Sequence, residues 1–192
     1  MSPRRASAKD AEQTTDAEGT SGELVSDFVG RWFDAWNTHK PDRVLELLTH
    51  DVEVRDDSWP TTMHGHAEVR EFLEALWRAI PDMTFELLDS PYVVPGEPRA
   101  ALHWRGSGTF TGRMDPPGFA PTGKRWEVDG VDFQEYRDGR ISKLRVAFDV
   151  MTLSRQLGLM PATGSRGERA LVGAQSGVMR VVDEYRRRRV KS

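Results

Sequence analysis

At Pro81 the hydrophobic period of this chain changes, and the change limits what the chain can fold into. Before it, apolar residues recur every three or four positions. Leu24, Phe28, Trp32, Ala35 and Trp36 share one face of an amphipathic helix over residues 23–38. Lys40-Pro41 ends that helix, and Pro41 suits the first turn of a second, short helix through Val44, Leu45 and Leu48. The run DVEVRDDSW alternates as a strand, with Val52 and Val54 on one side and Glu53, Arg55, Asp57 and Trp59 on the other. HAEVREFLEALWRAI is a third helix, with Val69, Phe72, Leu73, Leu76 and Ile80 on one face, and Pro81 stops it. After Pro81 the period is two. Met83, Phe85 and Leu87 alternate in one strand, and residues 99–111, 124–136 and 140–150 supply three more. Arg137-Asp138-Gly139 is a hairpin turn between the last two. TLSRQLG is a short helix with Gly158 as its stop. Helices followed by a run of antiparallel strands make an α+β fold, with a sheet wrapped over helices and a space between them.

The loop inside GTFTGRMDPPGFAPTGKRWEVDG lies where it can cover that space. Long apolar loops in small domains usually have a function. Met114, Pro116, Pro117 and Phe119 offer apolar contact, as a lid would. The two ends of the chain read differently. Residues 1–22 lack apolar periodicity and are expected to be a disordered tail. Beyond Pro161, ATGSRGER reads as a linker and VMRVVDEYRRRR as a terminal helix with a basic end, so 162–192 stands apart from the domain. A net charge of -3 provides no basic field for nucleic acid, and the RRRR run reads as a solvated end. The absence of Cys excludes disulfides and thiolate chemistry. No apolar run approaches the ~20 residues of a membrane span. The expectation is a cytoplasmic protein without nucleic-acid or membrane partners.

WFDAWN, DDSW, HGHAEVREFL, IPDMTFEL and GTFTG, followed by APTGK, YRDGRI and FDVMTLSRQLGLMP, match a known pattern in order and spacing. Over residues 23–161 the chain resembles the SnoaL-like polyketide cyclase family, within the nuclear-transport-factor-2-like superfamily. The resemblance implies a cone-shaped, curved, mixed or antiparallel β-sheet wrapped over three N-terminal helices. It also implies an apolar pocket for a hydrophobic small-molecule substrate and a homodimer formed across the sheet. The implied chemistry is aldol-type cyclisation of polyketide esters; superfamily relatives include epoxide hydrolases, dehydratases and isomerases. None of these needs a metal or an organic cofactor. Two family positions differ. Val146 stands where the cyclases place an acid/base Asp, and GTFTG puts Phe110 where they have His. The loss of that acid favours a ligand-binding or assembly protein as an alternative reading.

The resemblance turns the face that carries Arg55, Asp57 and Trp59 into the pocket. Asp57 would there be an acid or base, its pKa raised by apolar surroundings; otherwise Asp56-Asp57 makes a turn or a cap. His103 and Arg105 alternate on one face opposite Trp104, as candidates to exchange a proton and hold an oxyanion. Their alternative is the convex side of the sheet. Asp149 is either a pocket acid or the cap of the helix that follows. Trp32, Met114, Phe119, Leu144, Val146 and Phe148 are expected to contact substrate. His64 and His66 flank Gly65 with no third ligand at convincing spacing, so no metal site is expected.

Overall fold

The computed structural model describes residues 27–190. The expected tail at residues 1–22 lies outside them. The described part of α1, residues 27–37, buries Phe28, Val29, Trp32 and Ala35, as their spacing requires. After it come α2 (Pro41–Leu45), β1 (Leu48–Asp56), β2 (Met63–His64) and α3 (Gly65–Ala79). Four strands follow: β3 (Thr84–Leu87), β4 (Tyr92–Val93), β5 (Arg99–Thr109) and β6 (Arg125–Arg137). Then β7 (Arg140–Phe148), α4 (Val150–Gln156) and α5 (Arg166–Val190) complete the order.

The strands form one curled sheet in the order β2-β1-β7-β6-β5-β3, with β4 also paired to β5. All pairings are antiparallel except that of β1 with β7, so the sheet is mixed. Asp138 and Gly139 both take positive φ between β6 and β7, the backbone of a two-residue turn that matches strand twist. The helices cover one face. α3 buries Val69, Phe72, Leu73 and Trp77 where it packs on α2, β1 and β2, and Trp77 meets Trp36 of α1 edge-on with centroids 5.8 Å apart. The covered positions of β5 are Ala100, Leu102 and Trp104, and those of β6 are Trp126, Val128, Asp132 and Gln134. Asn37 fastens α1 to the sheet edge: its carboxamide accepts from Phe85 N at 2.8 Å and donates to Phe85 O at 2.9 Å.

The loop between β5 and β6 is a small folded unit. Its base is held to the end of α3, where the N–H groups of Thr111 and Gly112 donate to Ala79 O at 3.1 and 2.9 Å. A Cβ on Gly112 would stand 1.9 Å from the Arg78 carbonyl oxygen, so this close approach requires glycine. At the tip, Met114 pairs with Phe119. On the return, Thr122 Oγ1 donates to Leu157 O at 2.7 Å and ties the loop to the end of α4.

Four elements depart from the sequence reading. Leu48 opens β1 rather than closing α2, because Ile141 N bonds Leu47 O and draws that residue's neighbourhood onto the sheet. β2 and β4 are two-residue strands, too short to show a period. α5 begins at Arg166, well before the expected terminal helix, and Ser165 Oγ accepts from Glu168 N at 3.1 Å. Ser165 and Glu168 have the spacing of a capping box, which is legible in the sequence. α5 meets the domain through the Arg155–Glu168 ion pair at 3.2 Å, and Leu171, Val172, Val178 and Met179 along it are exposed. No described helix is long and apolar enough to cross a membrane.

Candidate active site

Between the sheet and the helices lies a cavity of about 130 Å³. Its wall is mostly apolar and rich in aromatic rings. α1 contributes Trp32, Phe33 and Trp36, and the strands contribute Phe85, Trp104, Trp126 and Phe148. Met114 and Phe119 of the β5–β6 loop and Leu153, Leu157 and Leu159 of the α4 segment also line it. Phe119 is 43% exposed, so it reaches the cavity from the surface.

Two carboxyls interrupt this apolar wall. Asp56 ends β1 and Asp132 lies midway along β6, and both are buried. Strand register sets them abreast. Val146 on β7 pairs with Asp56 on one side and with Asp132 on the other. Adjacent strands are ~4.8 Å apart, so the two Asp backbones lie two strand spacings, roughly 10 Å, from each other. Val146, where the resemblance implied an acid, is therefore flanked by an acid on each neighbouring strand.

Their hydrogen bonds differ. Asp132 Oδ1 accepts from Trp104 Nε1 at 2.8 Å and Oδ2 from Trp32 Nε1 at 3.0 Å. Gln134 Nε2 adds a longer contact to Oδ2 at 3.5 Å, and Tyr136 Oη donates to Gln134 Oε1 at 2.5 Å behind it. Both oxygens of Asp132 are thus held in place. Asp56 uses one oxygen: Oδ1 accepts from Ser58 N at 2.7 Å and from Ser58 Oγ at 2.5 Å. Burial pushes the Asp132 carboxyl up to about 6, against the opposing pull of the two indole bonds, and the nearby Asp56 charge pushes the same way. Burial also raises Asp56 above the ordinary carboxylate value, with the Ser58 bonds opposing it. Two carboxyls with raised pKa values in an apolar cavity can give and take protons on a bound molecule.

Of the residues expected from sequence, Trp32, Met114, Phe119, Val146 and Phe148 wall the cavity. The others lie elsewhere. Asp57 sits in the turn after β1 and accepts from Arg145 Nη1 at 2.6 Å. The inward parity of β1 is that of Val52, Val54 and Asp56, so the expected face of this strand is corrected: Arg55 is exposed on the outer side. Trp59, beyond the strand, packs edge-on against Phe72 with centroids 5.2 Å apart, outside the cavity wall. Leu144 is buried in the core and does not wall the cavity.

His103 and Arg105 also face outward. Trp104 takes the covered side, and alternation sends its neighbours to the convex one. There His103 Nδ1 bonds Asp89 at 2.6 Å, and Arg105 makes a two-point contact with Asp129 at 2.7 and 3.1 Å. Asp149 is the cap of α4: it accepts from Thr152 N at 2.9 Å and from Thr152 Oγ1 at 2.6 Å, bonds that hold its carboxyl below the ordinary range. His64 precedes α3, its N–H donating to Glu68, and His66 stacks on His50. Among the described residues no group of three His, Asp or Glu side chains converges as a metal would require.

Asp56 and Asp132 escaped the sequence reading, but a signal existed. Each is a charged residue on the buried parity of its strand, Asp56 after Val52 and Val54, and Asp132 after Trp126 and Val128.

The model of the SnoaL-like domain matches residues 29–144. No curated protein gives a significant match. Among solved structures, AclR of Streptomyces galilaeus, a proposed hydroxylase, superposes with a TM-score of 0.61 at 19% identity, covering 84% of this chain and 95% of its own. TsrD of Streptomyces laurentii gives 0.60 at 23% identity over 71% of this chain and 96% of that one. A proposed SnoaL-like polyketide cyclase from Jannaschia gives 0.62 at 18% identity, covering 72% and 94%. At such identities these likenesses establish the fold.

Proposed function

Because the chain belongs to the SnoaL-like domain family, we propose that it is a cyclase-type enzyme performing acid–base chemistry, without a cofactor, on a hydrophobic, oxygenated small molecule. The observation that carries this reading is the pair of buried carboxyls, Asp56 and Asp132, in the floor of an aromatic cavity. Asp56 moves the proton. Its Oδ1 is committed to Ser58, and Oδ2 is left for the substrate. In an aldol-type closure, the Asp56 carboxylate takes a proton from the carbon next to a carbonyl, and the bonding pair passes to the carbonyl oxygen as an enolate. The enolate carbon then bonds to a second carbonyl carbon. The resulting alkoxide recovers the proton from Asp56, so the carboxylate is regenerated. Burial holds the Asp56 carboxyl above its ordinary range, which favours its protonated form between the two transfers, and Asp132 is fixed beside the site by two indoles. The loop carrying Met114 and Phe119 excludes water from the reacting enolate. A homodimer would bury the exposed Phe133, Tyr92 and Val93 of the outer sheet face.

A non-catalytic binding protein is the second reading, favoured by Val146 in place of the family acid. One experiment separates the two. Compounds retained by the purified protein from a small-molecule extract of its source organism are identified by mass spectrometry and then offered to the wild type and to Asp56→Asn. The enzyme reading expects conversion by the wild type and a loss of ~10²–10⁴-fold in the variant. Retention without conversion supports the binding protein, and full turnover by Asp56→Asn removes Asp56 from the chemistry.

A further inference from the structure

The charges that wall the cavity are of one sign. Asp56 and Asp132 are there, and no Lys, Arg or His joins them among the described residues. The guanidinium of Arg145 is already bonded to Asp57 at 2.6 Å. Around the two carboxyls stand the rings of Trp32, Trp36, Trp104, Trp126, Phe85 and Phe148. Aromatic faces carry the negative end of the ring quadrupole, so a cation is favoured wherever a ring turns its face to the cavity. The bonds from Trp32 and Trp104 prevent Asp132 from swinging out to meet solvent. A buried carboxylate without a counter-charge is costly, and an occupant bearing positive charge relieves that cost.

The proposed reaction points the same way. An enolate develops negative charge on oxygen, and this cavity offers no side-chain cation to receive it. A substrate carrying its own ammonium group would supply that charge. We propose that the cavity selects a ligand bearing a cationic amine on an apolar body, with the ammonium seated against Asp132 inside the aromatic wall. This rests on the reading of the cavity as the substrate site and names the substrate class: an oxygenated molecule with a tertiary or quaternary amine. Asp132 then anchors the cation while Asp56 moves the proton.

Four tryptophans wall the cavity, so indole fluorescence reports occupancy. The full chain is titrated at pH 7.5 with benzyltrimethylammonium and with neopentylbenzene, which has the same shape and no charge. The cation is expected to bind at least about tenfold more tightly. Asp132→Asn should remove that preference by weakening the cation, with neopentylbenzene reporting that the cavity is intact. A second arm needs no variant. Lowering the pH to 5 protonates Asp132 and should shrink the preference in the wild type; the other titratable groups that reach Asp132 are Asp56 across the floor and Tyr136 through Gln134. Neopentylbenzene binding as tightly as the cation would overturn the proposal and leave the substrate-site reading standing. A cation preference that survives both Asp132→Asn and Asp56→Asn would place the cation elsewhere and also overturn it. If neither probe perturbs the fluorescence at millimolar concentration, the proposal and the substrate-site reading fall together.

Discussion

Replacing Asp132 with Asn should change how stability depends on pH. The folded carboxyl titrates at about 6 against 3.8 for the unfolded chain, so between these values the folded state holds a proton that the unfolded state has released. Stability from this group is therefore complete below pH 3.8 and is lost as pH rises through about 6. The rise corresponds to about 3 kcal/mol, undiminished by solvent because the residue is buried. Asn cannot titrate. It also offers a single acceptor oxygen where Trp32 and Trp104 both donate, so its amide must leave one indole N–H unpaired at a cost of roughly 1–3 kcal/mol. The wild type should thus be the more stable protein at pH 4 and should lose that advantage, or reverse it, by pH 7.5. Urea unfolding of both proteins at half-unit pH steps measures the difference, in which carboxyls common to both proteins cancel. A difference that stays flat to within about 0.5 kcal/mol from pH 4 to 7.5 would refute the buried, charge-penalised state of Asp132.

Three further outcomes are expected. Asp57→Asn breaks the half-exposed contact with Arg145; it should cost no more than ~1 kcal/mol of stability and leave ligand affinity unchanged, as unfolding and titration would show. Phe119→Ala should weaken an apolar ligand by roughly 1 kcal/mol, since about half of this ring is already exposed, while the ligand-free melting temperature stays the same. Asp149→Ala removes the cap of α4 and should cost ~1 kcal/mol in thermal unfolding, with no change in the pH profile of turnover.

Much of the fold was legible along the chain, because local patterns report which face of each element is apolar. The switch of period at Pro81, the Asp138-Gly139 turn and the spacing of Val69, Phe72 and Leu73 each act within one element. The family pattern was legible too, from the order of motifs along the chain, as was the apolar loop that carries Met114 and Phe119. The site depended on relations between elements. Alternation puts His103 and Arg105 on one side of β5 and Trp104 on the other, but which side is covered depends on where α1 and α3 pack. On β1 a one-residue choice of face exchanges Asp57 for Asp56; Val52 and Val54 mark the parity of Asp56, but that a carboxyl stands on the covered face is settled only by the packing. Asp56 and Asp132 are 76 residues apart in sequence. Only the parallel pairing of β1 with β7 and the antiparallel pairing of β7 with β6 set them on either side of Val146. Chain-local chemistry determined the elements; long-range strand register, which no single strand encodes, decided which carboxyls share the cavity.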